Sequence, residues 1–266
     1  MDREEKIRYL LGAEHYSTED LRLIVEVLRG EDGCPWDREQ THKSIRAGLI
    51  EETYEVIEAI DKDDTILMCE ELGDLLLQVI FHAQIETEKG NFTLCDVTDN
   101  VCRKLIHRHP HVFGNLNVSS TEQVLENWDK IKSEEKSRKT ITDKLRAVPA
   151  ALPALMRAVK VGKRAACLDF PDAGAVVDKI HEETDELSAA IGSGDTERIE
   201  EELGDLLLTV SSLARKVGID PEAALNRATD KFIDRFEKVE NEVLCAGLDM
   251  NKIDVTELDK IWDKIK

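Results

Sequence analysis

Two acidic motifs occur twice in this chain, and their types and spacing suit chemistry. Glu51, Glu52 and Glu55 are followed by Glu70, Glu71 and Asp74; later come Glu182, Glu183 and Glu186, then Glu201, Glu202 and Asp205. Each copy is displaced from the other by 131 residues (52 to 183, 74 to 205). Helical positions three apart lie about 60° apart on one face. Glu52 therefore points with Glu55, Glu71 with Asp74, Glu183 with Glu186, and Glu202 with Asp205. If the helices of a copy pair as an antiparallel hairpin, four carboxylates converge between them.

Such a cluster is unfavourable until it is neutralised. Two like charges near 4 Å repel by about 1 kcal/mol in water and about 4 kcal/mol at a surface-like dielectric. A hard divalent cation turns that repulsion into binding. The motif holds no His or Cys to favour zinc, so all-oxygen ligation by Mg²⁺, with Mn²⁺ as a substitute, is expected. The chemistry that follows is phosphoryl or nucleotidyl transfer to water. The plain alternative is a solvated helix face, the usual reading of one isolated acidic run. Its duplication, with each second motif entering an apolar Leu-Leu-Leu run, argues against that and for a nearby buried face.

Helices must position these groups. Glu, Lys, Leu, Ala and Ile recur at three- and four-residue spacing, and strand signals are nearly absent. An all-α fold of tandem duplicated helical-bundle modules is expected. Helices are read over about 17–28 with Ser17 as N-cap, over 44–60, and from an Asp63 or Asp64 cap to Lys89, with Gly90 following. Others are read over about 94–107, stopped by Pro110, and over 121–138. The segment 29–41, with Pro35 and two glycines, is expected to be loop. The second half repeats the order. A helix over 153–166 precedes an LDFPD loop, a weak echo of CPWD. The second acid pair follows, separated by a turn at Gly192–Asp195. Pro221 then opens a helix behind an Asp220 cap, and a last helix starts near Asp254. Trp128–Lys132 and Trp262–Lys266 are identical pentapeptides. The expected domains are 1–140, a linker at 141–152, and 153–266. Gly73 and Gly204, inside strong helical sequence, suggest close approach of a neighbouring helix.

Composition bounds the partners. The 266 residues carry 36 basic and 56 acidic side chains, a formal charge of −20. That disfavours nucleic-acid and anionic membrane surfaces. It leaves an anionic small substrate open, because a bound cation inverts the local field. Six scattered cysteines form no CxxC pair. With no apolar run at the N-terminus, a soluble cytoplasmic protein is expected.

The acid pairs, with Gly33–Asp37 (GCPWD) and Arg108–Phe113 (RHPHVF), closely resemble the MazG family of nucleoside triphosphate pyrophosphohydrolases over nearly the whole chain. The resemblance implies an all-α bundle that binds Mg²⁺. It implies hydrolysis of NTPs and dNTPs, with broad base tolerance, to the monophosphate and pyrophosphate, and a homodimer. It is also similar to the dimeric all-α deoxyuridine triphosphatases. Carried over by position, the metal ligands are Glu183, Glu186, Glu202 and Asp205, and in the first copy Glu52, Glu55, Glu71 and Asp74. Nucleotide contacts fall on Lys179, Glu182, Arg198, Lys231, Arg235 and Trp262, with Lys104, Arg108 and Trp128 as their first-copy neighbours. Glu182 is the candidate to orient or deprotonate the water attacking the α phosphorus. Lys231 and Arg235 suit the leaving pyrophosphate, and Trp262 suits base stacking or, equally, core packing.

The copies are unequal in sequence. Lys179 corresponds to Gly48 and Arg198 to Leu67 at the same displacement. A triphosphate beside four carboxylates needs such cations. The second copy is therefore expected to hydrolyse, and the first to be weaker, regulatory or structural. His107, His109 and His111 alternate around Pro110, as a metal site or an ordered turn. The rival readings are a selective dNTP hydrolase and a silent helical dimer that binds a regulatory protein.

Overall fold

The computed structural model describes residues 1–135 and 140–265. The described residues contain helices and no strand. The chain separates into two compact units, Met1–Lys132 and Ser133–Lys266.

In the first unit, α1 (Arg3–Gly12) and α2 (Thr18–Arg29) each begin with a capping box, from Asp2 with Glu5 and from Ser17 with Asp20. The first of these was not foreseen, since its short charged sequence carries little apolar periodicity. The segment expected to be loop holds a short helix, α3 (Pro35–Glu39). Proline at its N1 position loses no hydrogen bond there and presets the backbone, so the residue read as a breaker is a starter. Before it the chain folds tightly onto α2, and Cys34 N–H donates to the Leu28 carbonyl at 2.7 Å. A Cβ on Gly33 would lie 2.2 Å from that same carbonyl oxygen, so only glycine fits the turn. Buried Arg29 fixes the far side. It donates to the carbonyls of Asp37 (2.6 Å) and Gln40 (3.2 Å) and forks onto Glu88, with both contacts at 2.8 Å.

The acid-bearing helices are α4 (Arg46–Asp61) and α5 (Thr65–Glu88), packed as a hairpin. Asp64 caps α5 by accepting from Ile66 and Leu67 N–H, and Gly90 follows the helix with φ 72°. Val25, Ile80, Phe81 and Ile85 form the core beneath, joined by Leu21, Ile45, Leu77 and Leu94. Next come α6 (Leu94–Arg108), α7 (Pro110–Phe113) and α8 (Thr121–Glu135). Residues 136–138 of the expected fifth helix, and Lys266 of the repeated pentapeptide, lie outside the described residues.

The second unit opens on α9 (Ile141–Arg146), inside the segment expected as linker, where Thr140 and Asp143 form a capping box. This helix packs on α10 (Ala154–Arg164). A 3₁₀ turn at Ala166–Leu168 leads into the LDFPD loop. That loop is anchored at Asp169, which accepts from both terminal nitrogens of Arg215 and from Lys216 at 2.8 Å, holding its carboxyl well below the usual range. The second acid hairpin is α11 (Ala173–Ser193) and α12 (Thr196–Lys216). Gly192 stays helical. The turn is left to Gly194, at φ 72°, and to Asp195, which caps α12. Beyond it, α13 (Pro221–Cys245) packs on α10 and α12, and α14 (Val255–Ile265) packs on α13. No helix among the described residues is long and apolar enough to cross a membrane.

Candidate functional site

Each hairpin brings three carboxylates together across its two helices. In the second unit these are Glu183 and Glu186 on α11 and Glu202 on α12; in the first, Glu52 and Glu55 on α4 and Glu71 on α5. One oxygen from each lies within 4.8 Å of the others in its trio. The i,i+3 spacing supplies two acids from one helix, and the short turn returns the partner helix opposite them. Asp74 and Asp205, the fourth members of the expected sets, stand exposed one turn further along and are not part of these trios. Asp74 still acts on Glu52 through its charge.

The repulsion expected of such clusters is visible in the first trio. Burial and the charge of Asp74 push the Glu52 carboxyl up, and burial and Glu71 do the same for Glu55. The nearby Gln78 amide partly offsets the rise on Glu52. In the second trio, Glu183 is only 5% exposed. Its charge is met by Lys179, whose Nζ lies 3.0 Å from Glu183 and 2.7 Å from Glu182. Those contacts hold the ammonium above its ordinary pKa. Arg198 approaches Glu202 at 3.6 Å. The two cations that distinguish the second copy therefore lie against its acid trio. All donors in both trios are carboxylate oxygens, which fit a hard divalent cation.

The other expected contacts sit on α13 and α14. Lys231 is exposed, Arg235 is half-buried, and Trp262 packs on Phe232 with ring centroids 5.4 Å apart. In the first unit Lys104 is exposed, whereas Arg108 is buried with its guanidinium 5.5 Å over the Trp128 ring. The His107–His109–His111 run forms no metal-holding group among the described residues. Instead the His109 ring nitrogen meets the Leu105 carbonyl at 2.6 Å and the ring stands edge-on to Trp128.

Two expectations need correction. Among the described residues nothing lies within 4 Å of a Cβ built on Gly73 or Gly204 outside its own helix backbone, so no described helix of the same chain crosses closely there. The Leu-Leu-Leu runs are only partly covered: Leu76, Leu207 and Leu208 are exposed. The sequence reading also missed Gln78. A clue was available in Gly48, a glycine inside α4 whose absent Cβ would lie 2.9 Å from the Gln78 amide.

Comparison with known proteins gives the family. The MazG nucleotide pyrophosphohydrolase domain model matches residues 40–113 and again 173–240. The chain is 44% identical over 250 residues to the nucleoside triphosphate pyrophosphohydrolase/pyrophosphatase MazG of Thermotoga maritima, covering 93% of this chain and 95% of that protein. It is 43% identical over 251 residues to the nucleoside triphosphate pyrophosphohydrolase of Escherichia coli K12, with 92% and 95% covered. It is 40% identical over 267 residues to the uncharacterized protein YabN of Bacillus subtilis, covering 99% of this chain and 53% of that longer protein.

Proposed function

The chain belongs to the MazG nucleotide pyrophosphohydrolase family, and from that premise we propose that it hydrolyses nucleoside triphosphates, ribo- and deoxyribo-, to the monophosphate and pyrophosphate. The observation that carries this reading is the Glu183–Glu186–Glu202 trio with Lys179 and Arg198 against it. Those carboxylates, with Asp205 one turn from Glu202, would hold Mg²⁺ or Mn²⁺. A bound divalent ion supplies polarisation of the phosphorus centre and a water that gives up its proton more readily.

The chain's own groups do the rest. Lys179 neutralises Glu183 before substrate arrives and is placed to turn toward phosphate oxygens. Arg198 sits one helical turn from Glu202 and offers a planar fork to the same anion. Glu182, exposed beside the trio, is the candidate to take the proton of the attacking water. Lys231 and Arg235 stabilise the departing pyrophosphate, and Trp262 offers a face to the base, a contact that suits tolerance of several bases.

The second module (153–266) is read as the catalytic one, and the first (1–140) as a weak or silent copy. A homodimer suits both. Leu72, Leu76 and Val79 form an exposed i, i+4, i+7 stripe on α5, and Leu203, Leu207 and Val210 repeat it on α12. Gly73 and Gly204 lie beside these stripes with open space above them, room for a helix of a second copy.

Pyrophosphate release tests the activity. The wild-type protein is expected to release it from an NTP panel only with Mg²⁺ or Mn²⁺ present. Glu183→Ala should abolish release and Glu52→Ala should leave most of it; the reverse pattern would transfer catalysis to the first module.

A further inference from the structure

Basic side chains are outnumbered in this chain, 36 to 56, yet one stretch of the second unit is cationic throughout. Between Lys144 and Leu168 stand Lys144, Arg146, Arg157, Lys160, Lys163 and Arg164, with no Asp or Glu among them. Other cations of this unit are met by acids: Lys179 by Glu183, Arg198 by Glu202, and Arg215 and Lys216 by Asp169. Lys160 and Lys163 are exposed on α10, and among the described residues neither forms an ion pair. Three apart on one helical face, they repel each other. The fold carries a cost there that an anion would relieve.

Both lysines line a cleft of about 420 Å³ between α10 and the turn from α12 into α13. Its apolar walls are Met156 and Val159 on one side and Ile219 and Pro221 on the other. The turn is fixed by Gly218 at φ 73° and by the Ile219 N–H, which donates to the Ala214 carbonyl at 2.8 Å. Asp220, the carboxylate that lines the cleft, is engaged in capping α13, accepting from Glu222 and Ala223 N–H at 2.9 and 3.2 Å. Arg215, also in the lining, is committed to Asp169. The charge left to a ligand is that of two ammonium groups. From Glu202 to Arg215 is about 20 Å along α12, so the cleft stands apart from the acid trio of its own chain. We infer that it binds a phosphomonoester carrying a flat ring, of mononucleotide size. The volume falls in the range of small-ligand clefts, the apolar walls suit the faces of a ring, and two ammonium groups match the near-double charge of one terminal phosphate. Choosing a nucleoside monophosphate from that class rests on the hydrolase reading above, of which it is the product; the class itself does not.

The test is calorimetry on the full chain in EDTA, which keeps divalent ions off the acid trios. Lys231→Gln and Arg235→Gln remove the cations assigned to the reaction. This background is expected to bind AMP, with adenosine and ribose 5-phosphate each weaker by about tenfold or more, the first for want of the phosphate and the second of the flat ring. Adding Lys160→Gln with Lys163→Gln should weaken AMP by about tenfold or more at an unchanged melting temperature, whereas Lys160→Arg with Lys163→Arg should retain it. Failure of AMP to bind, affinity indifferent to the glutamine pair, or loss in the arginine pair as well would overturn the site. Adenosine or ribose 5-phosphate binding as tightly as AMP would overturn the ligand class. Pyrophosphate release by the wild-type protein with Mg²⁺ is read separately: its absence beside intact AMP binding would remove the hydrolase reading and leave the cleft standing.

Discussion

Glu183 shows how one side chain carries both stability and function. A carboxylate 5% exposed is tolerated because the Lys179 ammonium lies 3.0 Å away. Removing that ammonium leaves a buried acceptor charge without its partner. Lys179→Met is expected to lower metal-free stability by about 1–3 kcal/mol, and Mg²⁺ should recover more stability in the variant than in the parent. Urea denaturation with and without Mg²⁺ reads both.

A second residue-scale case is His82. His42 Nε2 donates to Glu86 at 2.6 Å, which leaves His42 Nδ1 to accept from His82 Nδ1 at 2.7 Å. His82 Nε2 is then a buried nitrogen without a protein partner. Burial first, and the neighbouring His42 second, push the His82 pKa below its ordinary 6.5. The unfolded chain takes up this proton at a higher pH than the folded one, so stability falls as pH drops through the region below 6.5. His82→Gln should flatten that slope in melting curves between about pH 7 and 5. Glu86, lowered from 4.5 to about 2 by Lys89, His42 and Asn91, adds a further loss only as pH falls below 4.5.

The element scale concerns where helices start. Asp195 accepts from Glu197 and Arg198 N–H and so fixes the first turn of α12, the helix that carries Glu202. Asp195→Ala should cost about 1 kcal/mol by urea denaturation. It should weaken Mn²⁺ binding at the second trio if fraying reaches Glu202, as a titration of the full chain would register. Much at this scale is legible in the sequence. Ser17 and Asp220 are caps as read, and of Asp63 and Asp64 it is Asp64, because their short oxygens reach orphan N–H groups; Gly90, Gly194 and Gly218 follow helices in the left-handed region, and Asp195, read only as part of a turn, caps α12. The exceptions have local causes. Pro35 begins a helix rather than ending one, α1 carries a cap but little apolar stripe, and Gly192 is held helical two residues before the true turn residue.

At the scale of the molecule, repeated apolar stripes on α5 and α12 remain exposed beside Gly73 and Gly204. In an isolated chain, a methyl at 204 meets open space, so Gly204→Ala should stabilise its helix by about 0.8–1 kcal/mol. If a second copy packs there, the bulkier Gly204→Leu should instead shift sedimentation from dimer toward monomer. Sedimentation velocity over a concentration series, compared with the parent, decides between these.

The sequence by itself determined the helical architecture, the duplication and the identity of the acid-bearing helices. Periodicity, capping chemistry and repetition are local properties that a chain carries with it. It also marked the second copy as the more cationic, because charge is written in residue type. Only the tertiary structure decided which acids meet: Glu183, Glu186 and Glu202 gather, while Asp205 stays outside the trio. It alone showed that Lys179 leans on Glu183, and that Gln78 fills the space over Gly48. Such contacts depend on the rotation and separation of two packed helices, quantities that side-chain spacing along one helix does not contain.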